Sequence, residues 1–372
     1  MSAPLIALAA GGTGGHLFPA KALAEALTRR GHPVALITDR RAEAFDLAGV
    51  AVYRVRAEGV TRPGLPAKLR GALALGLGVL DSVQILRRLR PAVVVGFGGY
   101  PSLPPTLAAA FLGLPILLHE QNAVLGRANR LVARFARRIA TAFAHTRHVE
   151  PAKATLVGNP VRPAFLPLRE RAYRAPNGGT VSILVTGGSQ GAIAFGELVP
   201  AALARLPAEL RSRLSVVQQT RPETAAAAHA AYAAAGIAAE LSPFFADMPE
   251  RLAAAHLVIG RAGASTIAEL AVAGRPAILI PYPHAMDDHQ AANAEALVAA
   301  GGAFALRQHE ATPEALAGIV RSLLEGQGAL AAAAAAAHGF ARPDAAERLA
   351  DLAAALAPAN GNGDGQPRQE AA

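Results

Sequence analysis

Short apolar runs alternate along this chain with longer alanine- and leucine-rich stretches of helical spacing. The runs fall at residues 4–10, 34–38, 92–96, 115–119, 138–142 and 155–158. The alternation restarts after residue 180, with runs at 181–186, 215–220, 256–260 and 277–281. Strands separated by helices predict a parallel α/β sheet, and the restart predicts a second one. Residues 19–30 read as the first helix, ending at Gly31. Residues 160–179 carry Pro160, Pro163, Pro167, Pro176, Asn177, Gly178 and Gly179 without periodic apolar spacing, which predicts an interdomain linker. The expected organisation is a first Rossmann-like domain at 1–160, a linker at 161–179, a second Rossmann-like domain at 180–345 and a closing helix at 346–357. Residues 358–372, rich in Asn, Gly and Gln, predict a disordered tail.

A chain of 372 residues fits two domains of ordinary size. Hydrophobic residues make up 52% and charged residues 17%, which excludes a disordered chain, and the lack of cysteine excludes disulfides and thiolate metal sites. The apolar run near the N-terminus is too short for a signal peptide, and the run at 72–80 falls well below the roughly 20 residues that span a bilayer. A cytoplasmic protein without a transmembrane helix is expected. The net charge of +9 calls for an acidic partner: nucleic acid, an anionic membrane or a phosphorylated substrate. No basic-aromatic stripe of the kind used on single strands is present, so nucleic acid ranks last.

Two glycine-rich turns, GGTGGH at 11–16 and GGSQGA at 187–192, follow the first strand of each half. Such turns let backbone N–H groups and a helix N-terminus approach a phosphate, so each is a candidate anion cradle. The first lacks both a dinucleotide fingerprint and the Gly-Lys-Ser/Thr of a P-loop. His16, at the head of a helix, can serve as a general base, or it can cap the helix or bond a phosphate. Asp39 closes the second strand where a ribose-binding acid sits in Rossmann enzymes, or is a surface residue at a strand end. In GRAGASTIAE at 260–269, Glu269 can accept two ribose hydroxyls or complement the helix dipole. The polar loop at 284–293 lies at a carboxyl sheet edge and suits a hydroxyl-rich sugar. It lacks the spacing of a metal site, and a plain solvated loop is its other reading. HEQN at 119–122 occupies the corresponding edge of the first half, as site or as strand-end cap. Arg162, entering the linker, can reach a phosphate or sugar across the cleft, or be solvated.

Together with GFGGYPS at 96–102, HEQNAVLG at 119–126, GNPVR at 158–162 and DDHQAANA at 287–294, these motifs resemble the MurG family of the GT-B glycosyltransferase superfamily. Seven motifs in the family's order, spanning residues 9–345, carry the resemblance. It implies a GT-B architecture, with two Rossmann-like domains facing an interdomain cleft. It also implies inverting transfer of N-acetylglucosamine from its UDP sugar to lipid I, the undecaprenyl-diphosphate-linked muramyl pentapeptide, giving lipid II in peptidoglycan synthesis. The implied donor contacts are Thr13, Gly14, Gly15, Asn122, Arg162, Ser189, Phe245, Ala264, Ser265, Thr266, Ile267, Ala268, Glu269 and Gln290, and His16 matches the family's candidate base. In that arrangement the loop at Ser189 cradles the diphosphate, Glu269 takes the ribose hydroxyls and Gln290 reads the sugar. Phe245 holds uracil through its backbone, where an aliphatic residue is expected. The first glycine turn faces the acceptor diphosphate. Helix N-termini and N–H groups can stabilise the leaving diphosphate, so no cofactor and no metal are expected.

A lipid acceptor also gives the positive charge a role. Lys68, Arg70, Arg87, Arg88 and Arg90 flank the apolar run at 72–80, which resembles a peripheral contact with the cytoplasmic face of an anionic inner membrane; a buried helix with a solvated basic end is the other reading. Other cell-wall enzymes are possible partners. Two other functions fit the same fold: a UDP-N-acetylglucosamine 2-epimerase, which needs no acceptor, and a UDP-sugar-binding scaffold without turnover.

Overall fold

The computed structural model describes residues 3–11, 14–39, 49–57, 65–188 and 191–357, with the backbone alone at 65–70. Thr13, Ser189 and the tail at 358–372 lie outside them. The first sheet contains β1 (Ile6–Ala9), β2 (Val34–Thr38), β3 (Ala51–Arg54), β4 (Val93–Gly96), β5 (Ile116–Glu120), β6 (Arg138–Thr141) and β7 (Ala154–Leu156). All its pairings are parallel, in the order β3-β2-β1-β4-β5-β6-β7. The second contains β8 (Val181–Thr186), β9 (Leu214–Gln219), β10 (Ala238–Ser242), β11 (Leu257–Gly260), β12 (Ala277–Leu279) and β13 (Ala303–Ala305), also parallel, in the order β10-β9-β8-β11-β12-β13. Each order reverses beside the domain's first strand, so the crevice of each half opens at the carboxyl ends of β1 and β4 and of β8 and β11.

Helices cover both faces of each sheet, and the strands alternate between two cores. In the first domain α1 (Gly14–Arg29) covers one face. The other carries α2 (Leu65–Leu89), α3 (Leu103–Phe111) and α4 (Arg127–Val132). Ile6 and Leu8 pack on the α1 side with Val93 and Val95, while Ala7, Ala9 and Val94 pack on the other. In the second domain the helices are α5 (Ile193–Leu203), α6 (Ala208–Arg211), α7 (Pro222–Ala234), α8 (Met248–Ala254), α9 (Ala264–Ala273), α10 (His289–Ala299), α11 (Pro313–Glu325) and α12 (Ala329–Phe340). Val181, Ile183, Val185, Leu257 and Ile259 face the core under α5 and α11, and Leu184 and Val258 face the one under α8 to α10.

The chain crosses between the domains twice. The outward crossing is not bare linker: Pro163–Glu170 forms a 3-10 helix whose Phe165 and Leu168, three residues apart as that helix requires, sit in the second domain's core. The last helix, α13 (Ala345–Leu356), returns to the first domain and packs on α1 through Leu349, Ala350 and Ala353. Where the crossings meet, Gly158 has φ 95°, and a Cβ there would stand 2.5 Å from Arg342 Cβ, so the position requires glycine.

Helix α1 is described from Gly14, five residues before the start that Pro19 suggests. Pro19 is thus the sixth residue of α1, inside the helix and past the first-turn positions where proline has no N–H partner to lose. His16 and Phe18 therefore stand on helix α1 beside the first glycine turn. The helix ends as expected, with Gly31 at φ 80° and the N–H of His32 donating to Leu27 O at 3.0 Å.

Candidate functional site

The carboxyl ends of the two sheets enclose a cleft of about 1100 Å³. The first domain contributes Gly14, Gly15, His16, Phe18, Gln121 and Asn122, and the crossing contributes Arg162 and Phe165. Facing them are the turn at Gly187 and Gly188, Phe244 and Phe245, Ala264 to Thr266, Glu269, and Tyr282 to His284 with Gln290. Eleven of the residues singled out from the sequence thus share one cavity. Ile267 and Ala268 do not, since α9 turns their side chains toward a small separate cavity beside the crossing at Gly158.

The glycine turn after β8 is built for backbone contact. A Cβ on Gly187 would overlap the backbone N of Ala192, and Gly188 and Gly191 have φ of 79° and 68°. Helix α9 starts at Gly263 without a side-chain cap, so its first N–H groups are presented toward the same cleft. Glu269 lies on the next turn, with 14% of its side chain exposed, and accepts from Arg162 Nε at 2.9 Å. Burial raises its carboxyl above the usual range, against the Arg162 charge that lowers it. Arg162 is held from both sides, its guanidinium 4.4 Å from the Phe165 ring centroid and 5.3 Å from that of Phe18. It is therefore a structured bridge between the domains.

Asn122 is fixed by two neighbours. Its backbone N and Nδ2 donate to Glu120 Oε1 at 3.0 and 3.2 Å, and its Oδ1 accepts from Asn293 Nδ2 at 3.1 Å. Glu120, 2% exposed, also accepts from Gly126 N and Asn129 Nδ2 at 2.9 Å, so four N–H donors hold this buried carboxylate. Gln290 Oε1 accepts from Tyr282 N at 2.9 Å, joining the two ends of the polar loop. Phe245 is buried with Arg251 stacked 4.1 Å over its ring, while the neighbouring Phe244 is 72% exposed. Asp39 is 3% exposed, not a surface residue.

His16 Nδ1 donates to Phe97 O at 2.9 Å and to Gln121 Oε1 at 3.2 Å. Both partners sit on loops that leave β4 and β5. Gln121 was not singled out from the sequence, although it lies within HEQN. Arg261 was likewise missed: it is buried, donates to Ile280 O, Pro281 O and Gln308 Oε1, and stacks on Phe195 and Tyr282, fixing the start of the 281–290 loop. Gln219, the last residue of β9, and Arg221, two residues beyond it, also line the cleft; polar residues at the end of an apolar strand were the signal available for them.

Two facing Rossmann-like domains with a glycine-lined cleft define a GT-B glycosyltransferase, and the comparisons place it within that class. Residues 6–141 match the glycosyltransferase family 28 N-terminal domain and residues 182–349 its C-terminal domain, so the chain belongs to this family. It is 58% identical to the UDP-N-acetylglucosamine--N-acetylmuramyl-(pentapeptide) pyrophosphoryl-undecaprenol N-acetylglucosamine transferase of Rhodospirillum centenum, over 99% of this chain and 98% of that one. The transferase of the same name from Paramagnetospirillum magneticum is 54% identical over 95% of this chain and 97% of its own. Among solved structures, MurG of Acinetobacter baumannii superposes with a TM-score of 0.78 at 31% identity, covering 94% of this chain and 98% of that one.

Proposed function

We propose that this chain transfers N-acetylglucosamine from UDP-N-acetylglucosamine to N-acetylmuramyl-(pentapeptide) pyrophosphoryl-undecaprenol, forming the β-linked disaccharide of lipid II with inversion at the anomeric carbon. The observation that carries the catalytic reading is the hydrogen bonding of His16. With two oxygen acceptors at Nδ1, the ring keeps its hydrogen there and leaves the Nε2 lone pair to accept a proton. In the transfer, the muramyl C4 hydroxyl gives its proton to Nε2 as its oxygen bonds the anomeric carbon. The bond to the UDP oxygen breaks, and its electron pair leaves with the diphosphate.

The second domain holds the donor. The N–H groups at the start of α9 face the developing charge on the diphosphate beside the glycine turn at Gly187, and Glu269, paired with Arg162, accepts from the ribose hydroxyls. Asn122 and Gln290 border the sugar, each already oriented by a partner.

The acceptor's lipid calls for a membrane surface. Among the described residues no helix is long and apolar enough to cross a membrane. Helix α2 instead exposes Leu73 (65%) and Leu80 (60%), two turns apart, and packs on α3, which ends at Phe111, 75% exposed. Arg87, Arg88 and Arg90 are exposed at its end. That combination of apolar and basic side chains suits peripheral attachment to the anionic cytoplasmic leaflet, where each cation contributes about 1 kcal/mol.

The deciding assay is UDP release from UDP-N-acetylglucosamine with and without a short-chain lipid I analogue. Release that depends on the acceptor and yields a disaccharide supports the transferase. Sugar isomerisation without acceptor points to an epimerase, and binding without turnover to a scaffold.

A further inference from the structure

We infer that His119 and Gln121 form a buried relay that positions His16, anchored at its far end on the carbonyl of Gly158 where the chain crosses between domains. The inference rests on the reading of His16 as the base, and it assigns positioning residues to that base.

The relay follows from donor and acceptor accounting. His119 Nε2 lies 3.1 Å from Gly158 O, which can only accept, so Nε2 carries a hydrogen. His119 is fully buried, and burial pushes its imidazole down to about 4, so the ring is neutral at pH 7 and Nδ1 offers a lone pair. Gln121 Nε2 stands 3.0 Å from that Nδ1 and 3.0 Å from Phe97 O, donating to both. The reversed amide would set its oxygen against two acceptors, so Oε1 must face His16 Nδ1. His16 Nδ1 then meets only acceptors and holds the hydrogen. The relay thus runs from the Gly158 carbonyl to Gln121 Oε1, which adds a second acceptor to the one Phe97 O offers His16 Nδ1 and so strengthens the tautomer with its lone pair on Nε2.

The surroundings fit this purpose. Gly99, at φ 75°, lies against the open edge of His16, and a Cβ there would stand 3.1 Å from Cδ2 and 3.4 Å from Nε2, crowding the atom that takes the proton. Once Nε2 is protonated, the imidazolium remains bonded to two oxygens, Phe97 O and Gln121 Oε1. These neutral dipoles occupy the place of the carboxylate in a hydrolase triad, where disturbing the histidine tautomer costs about 10⁴-fold in kcat. A neutral relay that leaves Phe97 O in place carries less, about 10- to 100-fold.

The test combines kinetics with ¹⁵N NMR of the histidine rings in the full-length chain, using His16→Ala to assign the signals. Wild-type His16 is expected as a single neutral tautomer protonated at Nδ1. Gln121→Met should shift it toward a mixture and lower kcat about 10- to 100-fold, with the KM for UDP-N-acetylglucosamine within about twofold. His119→Gln, which keeps a donor for Gly158, should retain more activity than His119→Leu, so the inference stays testable if either aliphatic variant folds poorly. An unchanged His16 tautomer in Gln121→Met overturns the relay, whatever happens to kcat. Near-normal turnover in His16→Ala overturns the base assignment instead, and the tautomer measurement then judges the relay alone.

Discussion

At the scale of single residues, His119 couples the site to stability. Its imidazole is held at about 4 against an ordinary 6.5, chiefly by burial, with the His16 charge adding to the effect. The folded protein keeps it neutral while the unfolded chain takes a proton below 6.5. Its contribution is therefore present above pH 6.5 and lost as pH falls toward 4, by about 1.4 kcal/mol per unit and about 3 kcal/mol in all. Glu269 acts with the opposite sign, because its carboxyl is raised, so the comparison must be between wild type and a variant at one position. Urea denaturation at pH 7 and pH 5 should show His119→Gln losing less stability on acidification than wild type by about 2 kcal/mol. Equal losses would show that His119 does not titrate in this way. His16, Arg162 and Glu269 were legible in the sequence because they follow strand ends or glycine turns. Gln121 was not, because the orientation of a buried amide depends on three loops that meet only in the fold.

At the scale of elements, ten strands were visible as apolar runs, and β3, β10 and β13 were not. Each of the three lies at a sheet edge, and each has residues open to solvent. An edge strand buries less side-chain surface, so its sequence carries a weaker apolar signal. The 3-10 helix at the crossing escaped for a related reason, since its two core residues recur at a spacing of three within a proline-rich stretch. Helix α2 was legible as a basic-flanked apolar run, and its exposed leucines give that reading a direct test. Leu73→Glu with Leu80→Glu removes apolar surface without entering the core. The double variant should bind vesicles of anionic phospholipid at least tenfold more weakly than wild type, while turnover on a water-soluble acceptor analogue stays within about twofold. Undiminished vesicle binding in a sedimentation assay would remove α2 from the membrane surface.

At the scale of the whole molecule, the question is which contacts hold the two domains together across the cleft. Two kinds are available. On the exposed rim, Arg127 and Arg130 pair with Asp287, and Arg147 pairs with Glu295. Beneath them Asn293, fully buried on α10, accepts from Ala123 N at 2.7 Å and donates to Asn122 Oδ1 and Ala262 O at 3.1 Å. Exposed ion pairs contribute about 0–1 kcal/mol and weaken with salt. Removing a buried amide strands several partners, at about 1–3 kcal/mol for each group left unsatisfied. The buried amide should therefore dominate, although the arginines place more charge at the boundary. Asn293→Ala is expected to cost about 3 kcal/mol and to separate urea unfolding into two transitions as the domains uncouple, whereas Arg127→Ala should cost under about 1 kcal/mol and leave one transition. If Arg127→Ala cost as much as Asn293→Ala, or if the cost of Asn293→Ala vanished at high salt, the ion pairs would be the true clasp. Because Asn293 also orients Asn122 at the cleft, its loss should raise the KM for UDP-N-acetylglucosamine more than Arg127→Ala does, tying the coupling of the domains to the geometry of the donor site.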